Sequence, residues 1–98
     1  MGEVKSMGTA QVTVKVKMRY LVSVRDKTGK SEEDVSFTAG STLGDAAEWL
    51  RATHGLSVPS PHVMAILNGK GWGQFPEKTG TPLKEGDVIS LFPPISGG

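Results

Sequence analysis

A strict two-residue alternation near the N-terminus constrains the fold of this chain most strongly. Apolar and polar residues take turns along one short stretch. The apolar positions are Val12, Val14, Val16, Met18 and Tyr20, and the polar positions are Thr13, Lys15, Lys17 and Arg19. Because successive side chains of a strand point to opposite faces, the pattern predicts a β-strand with one buried and one basic face. The chain must therefore build a sheet that is covered on one side.

A second strand and a helix are predicted next. The turn residues of "RDKTGK" precede "EDVSFT", which places Val35 and Phe37 inward, so the first two strands are expected to form a hairpin. In "STLGDAAEWLRATHG" the residues Thr42, Asp45 and Gly55 have the spacing of an N-cap, its capping-box partner and a C-terminal stop. This spacing predicts a helix that packs on the sheet through one apolar face, formed by Leu43, Ala46, Ala47 and Leu50.

The second half of the chain predicts two more strands. "HVMAILNG" is a strand ended by the turn pair Asn68-Gly69, and "KGWGQFPEKTGTPL" is an irregular stretch with Trp72, Phe75 and Leu83 as apolar anchors. "KEGDVISLF" is a turn followed by the last strand. In that strand Ile89 and Leu91 are expected inward, and Val88, Ser90 and Phe92 outward.

The order of these elements indicates the fold class. Two strands, a helix and a returning C-terminal strand predict an α+β domain with a mixed sheet, the β-grasp or ubiquitin-like fold. At 98 residues the chain has room for a single core. We expect a flexible arm at residues 1–10, the domain at 11–92 and a functional tail at 93–98.

Composition excludes several classes of function. The chain has no cysteine, which excludes disulfides, thiolate metal sites and a thiol nucleophile of its own. No apolar run approaches the roughly 18 residues of a membrane helix, and no secretion signal opens the chain, so a cytoplasmic protein without a membrane partner is expected. The net charge of +1 does not indicate a basic surface for binding nucleic acid.

The charge is unevenly distributed along the chain. Residues 1–31 carry seven Lys and Arg against two Asp and Glu, whereas residues 32–98 carry four against eight. We expect this imbalance to reflect a solvated basic strand face, and a docking stripe for an acidic partner surface is the alternative.

No constellation predicts catalysis or metal binding. His54 and His62 have no nucleophile or metal-ligand partner in sequence, and Asp45 and Glu48 fall in the first turns of the helix, where carboxylates are favourable. Autonomous catalysis is therefore not expected.

The final seven residues, "FPPISGG", begin with a stiff element. Phe92 is expected to be exposed where the chain leaves the sheet. Pro93 and Pro94 cannot donate to a strand ladder, so they should stop the strand and project the chain as a stalk. Ile95 would be the one large apolar side chain on that stalk.

The residues after the stalk carry little bulk. Ser96 and Gly97 give clearance, so this end of the chain would fit a channel too narrow for ordinary side chains. The carboxylate of Gly98 would then be brought to a reactive centre.

The motifs "LNG" and "LKEGDVISLFPPISGG", with the element order, resemble the ubiquitin-like sulfur carriers of the MoaD/ThiS family, and most closely the small subunit of molybdopterin synthase. The resemblance covers about residues 11 to 98. It implies that a ubiquitin-activating-type enzyme adenylates Gly98 with ATP, and that a persulfide on another protein supplies the sulfur of a C-terminal thiocarboxylate. The large subunit of the synthase would then receive the tail. The carrier itself would hold no stable cofactor.

In this interpretation Phe92 to Ile95 anchor the tail in the partner, and Trp72 and Phe75 are further partner contacts. The chain departs from the family in its N-terminal arm and in the longer, more aromatic "GKGWGQFPEKTG" connection. Two alternatives stay open. In the first, the activated tail serves thiamine, cysteine or tRNA thiolation or conjugation to lysines. In the second, the chain is a β-grasp interaction domain that is never activated.

Overall fold

Five strands and two α-helices follow one another in the computed structural model, which describes residues 12–58 and 60–94. The strands are β1 (Thr13–Tyr20), β2 (Glu32–Thr38), β3 (Met64–Leu67), β4 (Lys70–Gly71) and β5 (Val88–Phe92). The helices are α1 (Ser23–Thr28) and α2 (Leu43–His54), and two 3₁₀ turns span Trp72–Gln74 and Lys78–Gly80. The predicted arm at residues 1–10 lies outside the described residues.

The strands form one mixed sheet in the order β2-β1-β5-β3-β4. β5 is its central strand, parallel to β1 and antiparallel to β3. β1 and β2 pair antiparallel as predicted. A hairpin, a helix across one face and a last strand inserted at the centre make up the β-grasp fold, so that prediction is confirmed.

Helix α2 covers one face of the sheet and has the predicted ends. The backbone N–H of Asp45 donates to Oγ1 of Thr42 at 3.4 Å, and the N–H of Thr42 donates to Oδ2 of Asp45 at 2.8 Å. Gly55 follows the helix with φ of 69°, the left-handed conformation that ends it. Leu43, Ala46 and Leu50 are buried in the core, whereas Ala47 is half-buried at its margin.

Two details of the N-terminal half differ from the sequence prediction. The connection between β1 and β2 is not a tight turn, because it contains helix α1, whose Val24 is buried in the core. Val12 precedes β1 and is 73% exposed, so the buried face begins later than the alternation indicated. The helix forms because one buried apolar residue suffices to hold a six-residue segment against the sheet.

Two side chains that follow β3 and precede β5 are joined in a hydrogen-bonded pair, the Asn68–Asp87 clamp. Nδ2 of Asn68 donates to Oδ1 of Asp87 at 3.0 Å, and Oδ1 of Asn68 accepts from the N–H of Val88 at 2.9 Å. The other carboxylate oxygen of Asp87 accepts from the N–H of Lys84 at 2.8 Å. Because Asp87 is only 8% exposed, these bonds satisfy a nearly buried charge. They fix the register in which β5 enters the sheet.

A second polar cluster ties α2 to β1 and β2. The hydroxyl of Tyr20 donates to Oε2 of Glu33 at 2.6 Å, and Nε2 of His54 lies 2.8 Å from the same oxygen. Nζ of Lys30 donates to Oε1 of Glu33 at 3.2 Å. Burial acts to raise the pKa of Glu33, but the hydrogen bonds from Tyr20, His54 and Lys30 and the Lys30 charge outweigh it, so the pKa lies below its ordinary value. Burial, together with the bond to Glu33 and its charge, raises the pKa of Tyr20 well above its ordinary value.

Helix α2, with 12 residues, is too short to cross a bilayer, and α1 is shorter still; the described residues contain no other α-helix.

Removal of the Asn68 side chain is predicted to destabilise the domain. Asn68 has φ of 52°, so Asn68→Gly deletes the hydrogen bonds without backbone strain, whereas Asn68→Ala adds strain. We expect Asn68→Gly to lower the free energy of unfolding by about 1–3 kcal/mol and Asn68→Ala by roughly 1 kcal/mol more, measured by urea denaturation. An Asn68→Gly variant as stable as the parent would show that the clamp contributes nothing.

Stability is predicted to depend on pH at both ends of the range. The raised pKa of Tyr20 contributes stability that is complete below its unfolded value and lost as pH rises above it. The lowered pKa of Glu33 contributes stability that is lost as pH falls towards its folded value. Because Tyr20 is the single tyrosine, tyrosinate absorbance follows it alone.

We expect that absorbance to rise only together with alkaline unfolding, and Tyr20→Phe to flatten the alkaline limb. Ionisation of Tyr20 in the folded protein at a pH near the ordinary pKa of tyrosine would contradict the burial of its hydroxyl.

Candidate docking face and tail root

The tail leaves the sheet from the end of its central strand. β5 ends at Phe92, as the two prolines predicted, and Pro93 and Pro94 follow outside any strand. Met64 is the cross-strand partner of Phe92 on one side. On the other side the N–H of Leu21 donates to the carbonyl of Leu91 at 3.0 Å. This tail root, the end of β5 at Leu91 and Phe92, is therefore flanked by β3 on one side and by Leu21, the residue directly after β1, on the other.

Four predicted site residues lie outside the described residues: Ile95, Ser96, Gly97 and Gly98. Their roles as anchor, clearance and modified end stay predictions.

The sheet face opposite α2 carries an apolar row beside the tail root. Ile89 and Leu91 point into the core as predicted, so their neighbours on β5 face the other way. Met64 pairs with Phe92, and Ile66 pairs with Ser90, on that same outer face. The apolar row consists of Met64, Ile66, Val88 and Phe92, with Met64 43% exposed and the others half-buried.

Phe92 is thus more covered than the sequence predicted, because β5 lies between two neighbouring strands. Ser90 is outward but only 8% exposed for the same reason. The sequence analysis did not include Met64 and Ile66 among the candidate residues. Their alternation with the buried Ala65 and Leu67 was the available signal.

The other half of this outer face is charged. Nζ of Lys17 lies 3.4 Å from Oε2 of Glu32 and 3.9 Å from Oδ1 of Asp34, so β2 offsets part of the basic face of β1. Lys15 and Arg19 form no salt bridge with another residue of the described ranges. The basic strand face is therefore solvated on one side of the apolar row.

Trp72 is an apolar anchor of its stretch, as the sequence predicted, and its burial leaves little of its side chain for the partner contact that was also expected. Its side chain is 3% exposed and belongs to the core, because the 3₁₀ turn that it begins folds back onto β3. Its indole Nε1 is buried without a hydrogen-bond partner among the described residues. Phe75 is half-buried against the same core, with Nζ of Lys70 5.0 Å from its ring centre. The aromatic connection is thus chiefly structural.

Titratable side chains form no candidate metal site in the part of the chain that the structure describes, since three His, Asp or Glu never converge there. His54 is engaged by Glu33, which fits the structural role predicted for it.

Comparison with known proteins assigns the chain to a family. The model of the ThiS family matches residues 18–98. Small archaeal modifier protein 3 of Haloferax volcanii is 27% identical over 93 aligned residues, which cover 87% of this chain and all of that protein.

Two solved structures are similar along most of the chain. Molybdopterin converting factor subunit 1 from Pyrococcus furiosus is 26% identical, with a TM-score of 0.69 over 84% of this chain and 99% of that one. A chain from the complex of molybdopterin-converting factor subunits 1 and 2 of Helicobacter pylori is 29% identical, with a TM-score of 0.57 over 87% of this chain and 100% of that one. The match to the family model shows that the chain belongs to the ThiS family of ubiquitin-like sulfur carriers and modifiers, and the fold and the proline-stopped central strand agree with it.

Proposed function

We propose that this chain is the sulfur-carrying small subunit of a molybdopterin synthase, with Gly98 as the C-terminal residue that becomes a thiocarboxylate. The observation that carries the proposal is the position of Phe92-Pro93-Pro94 at the end of the central strand, directly beside the apolar row. The similarity to a subunit of the two-subunit Helicobacter pylori complex supports a large-subunit partner.

The first step of the proposed chemistry is adenylation. A carboxylate oxygen of Gly98 attacks the α-phosphorus of ATP, and pyrophosphate leaves. The product is an acyl-adenylate with an activated carbonyl carbon. The partner enzyme binds the nucleotide, so the carrier needs no nucleotide site of its own.

Sulfur enters in the second step. The terminal sulfur of a partner's persulfide attacks the carbonyl carbon, and AMP leaves. A second thiol of a partner then attacks the sulfur–sulfur bond, forms a disulfide with the donor and releases the C-terminal thiocarboxylate. Both thiols must come from partners, since this chain has no cysteine.

The geometry suits delivery of a group rather than catalysis. The apolar row is the proposed docking face of the domain, the two prolines end the central strand, and Ser96, Gly97 and Gly98 have little side-chain bulk. A docked tail presents its end to the reactive centre at high effective concentration, which replaces a bimolecular encounter. The large subunit supplies the catalytic groups.

Conjugation to lysines is the second candidate, favoured by the similarity to small archaeal modifier protein 3. The activation step is the same, but a lysine amine attacks the activated carbonyl carbon, and AMP leaves with loss of a proton. Thiolation of thiamine, cysteine or tRNA precursors would use the same thiocarboxylate with another acceptor. A domain that is never activated would tolerate loss of Gly97 and Gly98.

Incubation with the cognate adenylating enzyme, ATP and a persulfide donor is predicted to exchange one C-terminal oxygen for sulfur. Intact-mass spectrometry measures the exchange. We expect no exchange after deletion of Gly98 or addition of an alanine behind it, because the carboxylate is then missing or displaced from the active centre.

An unchanged mass of the parent chain would contradict the sulfur-carrier function. Isopeptide-linked lysine peptides bearing this Gly-Gly, recovered instead of thiocarboxylate, would favour the modifier function.

Truncation of the apolar row is predicted to weaken binding to the large subunit. Phe92→Ala and Met64→Ala each remove a central apolar contact, so we expect dissociation constants raised about 10- to 100-fold in calorimetric titration. The matched control is Val12→Ala, which truncates an exposed apolar side chain at the opposite end of β1. Equal affinities of all three variants, with unchanged folding by circular dichroism, would exclude the apolar row as the docking face.

A further inference from the structure

Val22, directly before α1, has a backbone conformation that valine disfavours. Its φ is 54° and its ψ is −125°. The N–H of Val24 donates to the carbonyl of Leu21 at 3.1 Å, so Leu21 to Val24 form a tight turn. These angles are those of the first central residue of a type II′ turn, the position that glycine fills by default. A β-branched residue there is strained.

The side chain of Val22 gains no burial in the domain that would offset this backbone strain. It is 64% exposed, whereas Val24, two residues later, is 4% exposed and fills the core. A glycine would close the same turn without strain and without an exposed apolar group. Neither local geometry nor core packing therefore accounts for valine at this position.

Val22 lies beside the tail root. Tyr20 is paired with Leu91, and the N–H of Leu21 bonds to Leu91 at 3.0 Å, so the next residue lies beside the tail root. Three large apolar side chains are strongly exposed among the described residues. Val22 and Met64 lie at the end of the sheet where the tail leaves, and Val12 lies at the opposite end.

Basic side chains surround this end of the sheet. Arg19 is the outward neighbour of Ser90, and Arg25 and Lys27 lie exposed on α1, which packs against β5. None of the three forms a salt bridge with another residue of 12–58 or 60–94. Asp26 is the one acidic residue of α1. The tail-root collar thus combines Val22, Met64 and Phe92 with a basic rim of Arg19, Arg25 and Lys27. Glu32 of β2 is the cross-strand neighbour of Arg19, and its carboxylate lies 3.4 Å from Nζ of Lys17.

We propose that Val22 is a docking contact for the enzyme that adenylates Gly98, which receives it in an apolar depression bordered by carboxylates. The inference rests on the proposed function and adds to it a specific contact and the charge of the receiving surface. The partner that admits the tail must approach the collar, because the tail begins there. Burial of Val22 in that partner supplies the favourable apolar contact that the free domain does not provide.

Substitution at Val22 separates stability from recognition. Val22→Gly relieves the strain, so we expect the melting temperature of the free domain to rise by about 4 °C. It also removes the apolar contact, so the KM for the carrier in ATP–pyrophosphate exchange should rise about tenfold with kcat little changed. Val22→Ala should raise KM without the gain in stability. Val12→Ala is the control and should change neither.

The basic rim is tested with a matched pair of charge reversals. Lys27→Glu should raise KM about tenfold in dilute buffer and less at high salt, because screening weakens the repulsion. Lys84→Glu, an exposed residue before β5 and remote from the tail root, should leave KM unchanged.

The outcomes are distinct. If the parent chain is adenylated but Val22→Gly and Val22→Ala have the parental KM, Val22 is not a contact and this inference alone fails. If Val22→Gly melts no higher than the parent, the strain on which the inference depends is absent and the inference also fails. If the parent chain supports no exchange, the proposed function fails and the inference fails with it.

Discussion

The Asn68–Asp87 clamp is the interaction on which the rest of this structure depends. It joins the turn after β3 to the residue before β5, so it fixes where the central strand enters the sheet. A shift of one residue would exchange the buried Ile89 and Leu91 with the outward Val88 and Phe92. The apolar row and the tail root would then disappear together. The motifs "LNG" and "EGD" are thus structural, and their contribution to function is to hold the strand from which the tail leaves.

The fold was largely predictable from local patterns, and the docking surface was not. Thr42 and Gly55 mark the ends of α2 because capping is decided within one turn of chain. The nearly complete burial of Trp72, in contrast, depends on how a 3₁₀ turn folds back onto β3, a tertiary contact that no periodicity in the sequence encodes. Helix α1 escaped prediction because its six residues carry too little periodicity, with Val24 as their one buried side chain. The contact of Met64 with Phe92 required the register of β3 against β5.

The side chains that stabilise the domain and those proposed to bind partners lie on opposite faces of the sheet. The hydrogen-bonded cluster of Tyr20, Glu33 and His54 lies on one side of the sheet, together with the core beneath α2. The opposite face carries apolar side chains that the domain itself does not cover, next to a strained Val22. This distribution is typical of a protein that is stable alone and binds partners through the opposite face of its sheet.

The proposed function requires that Gly98 carry sulfur at a free C-terminus. The most direct measurement is mass spectrometry of the C-terminal peptide from the chain purified from its own cells after alkylation, which traps a thiocarboxylate. We expect a peptide that ends at Gly98 in two forms, one with a carboxylate and one with an alkylated thiocarboxylate. A peptide found only as the carboxylate, under conditions in which the cell makes its sulfur-containing cofactors, would contradict it.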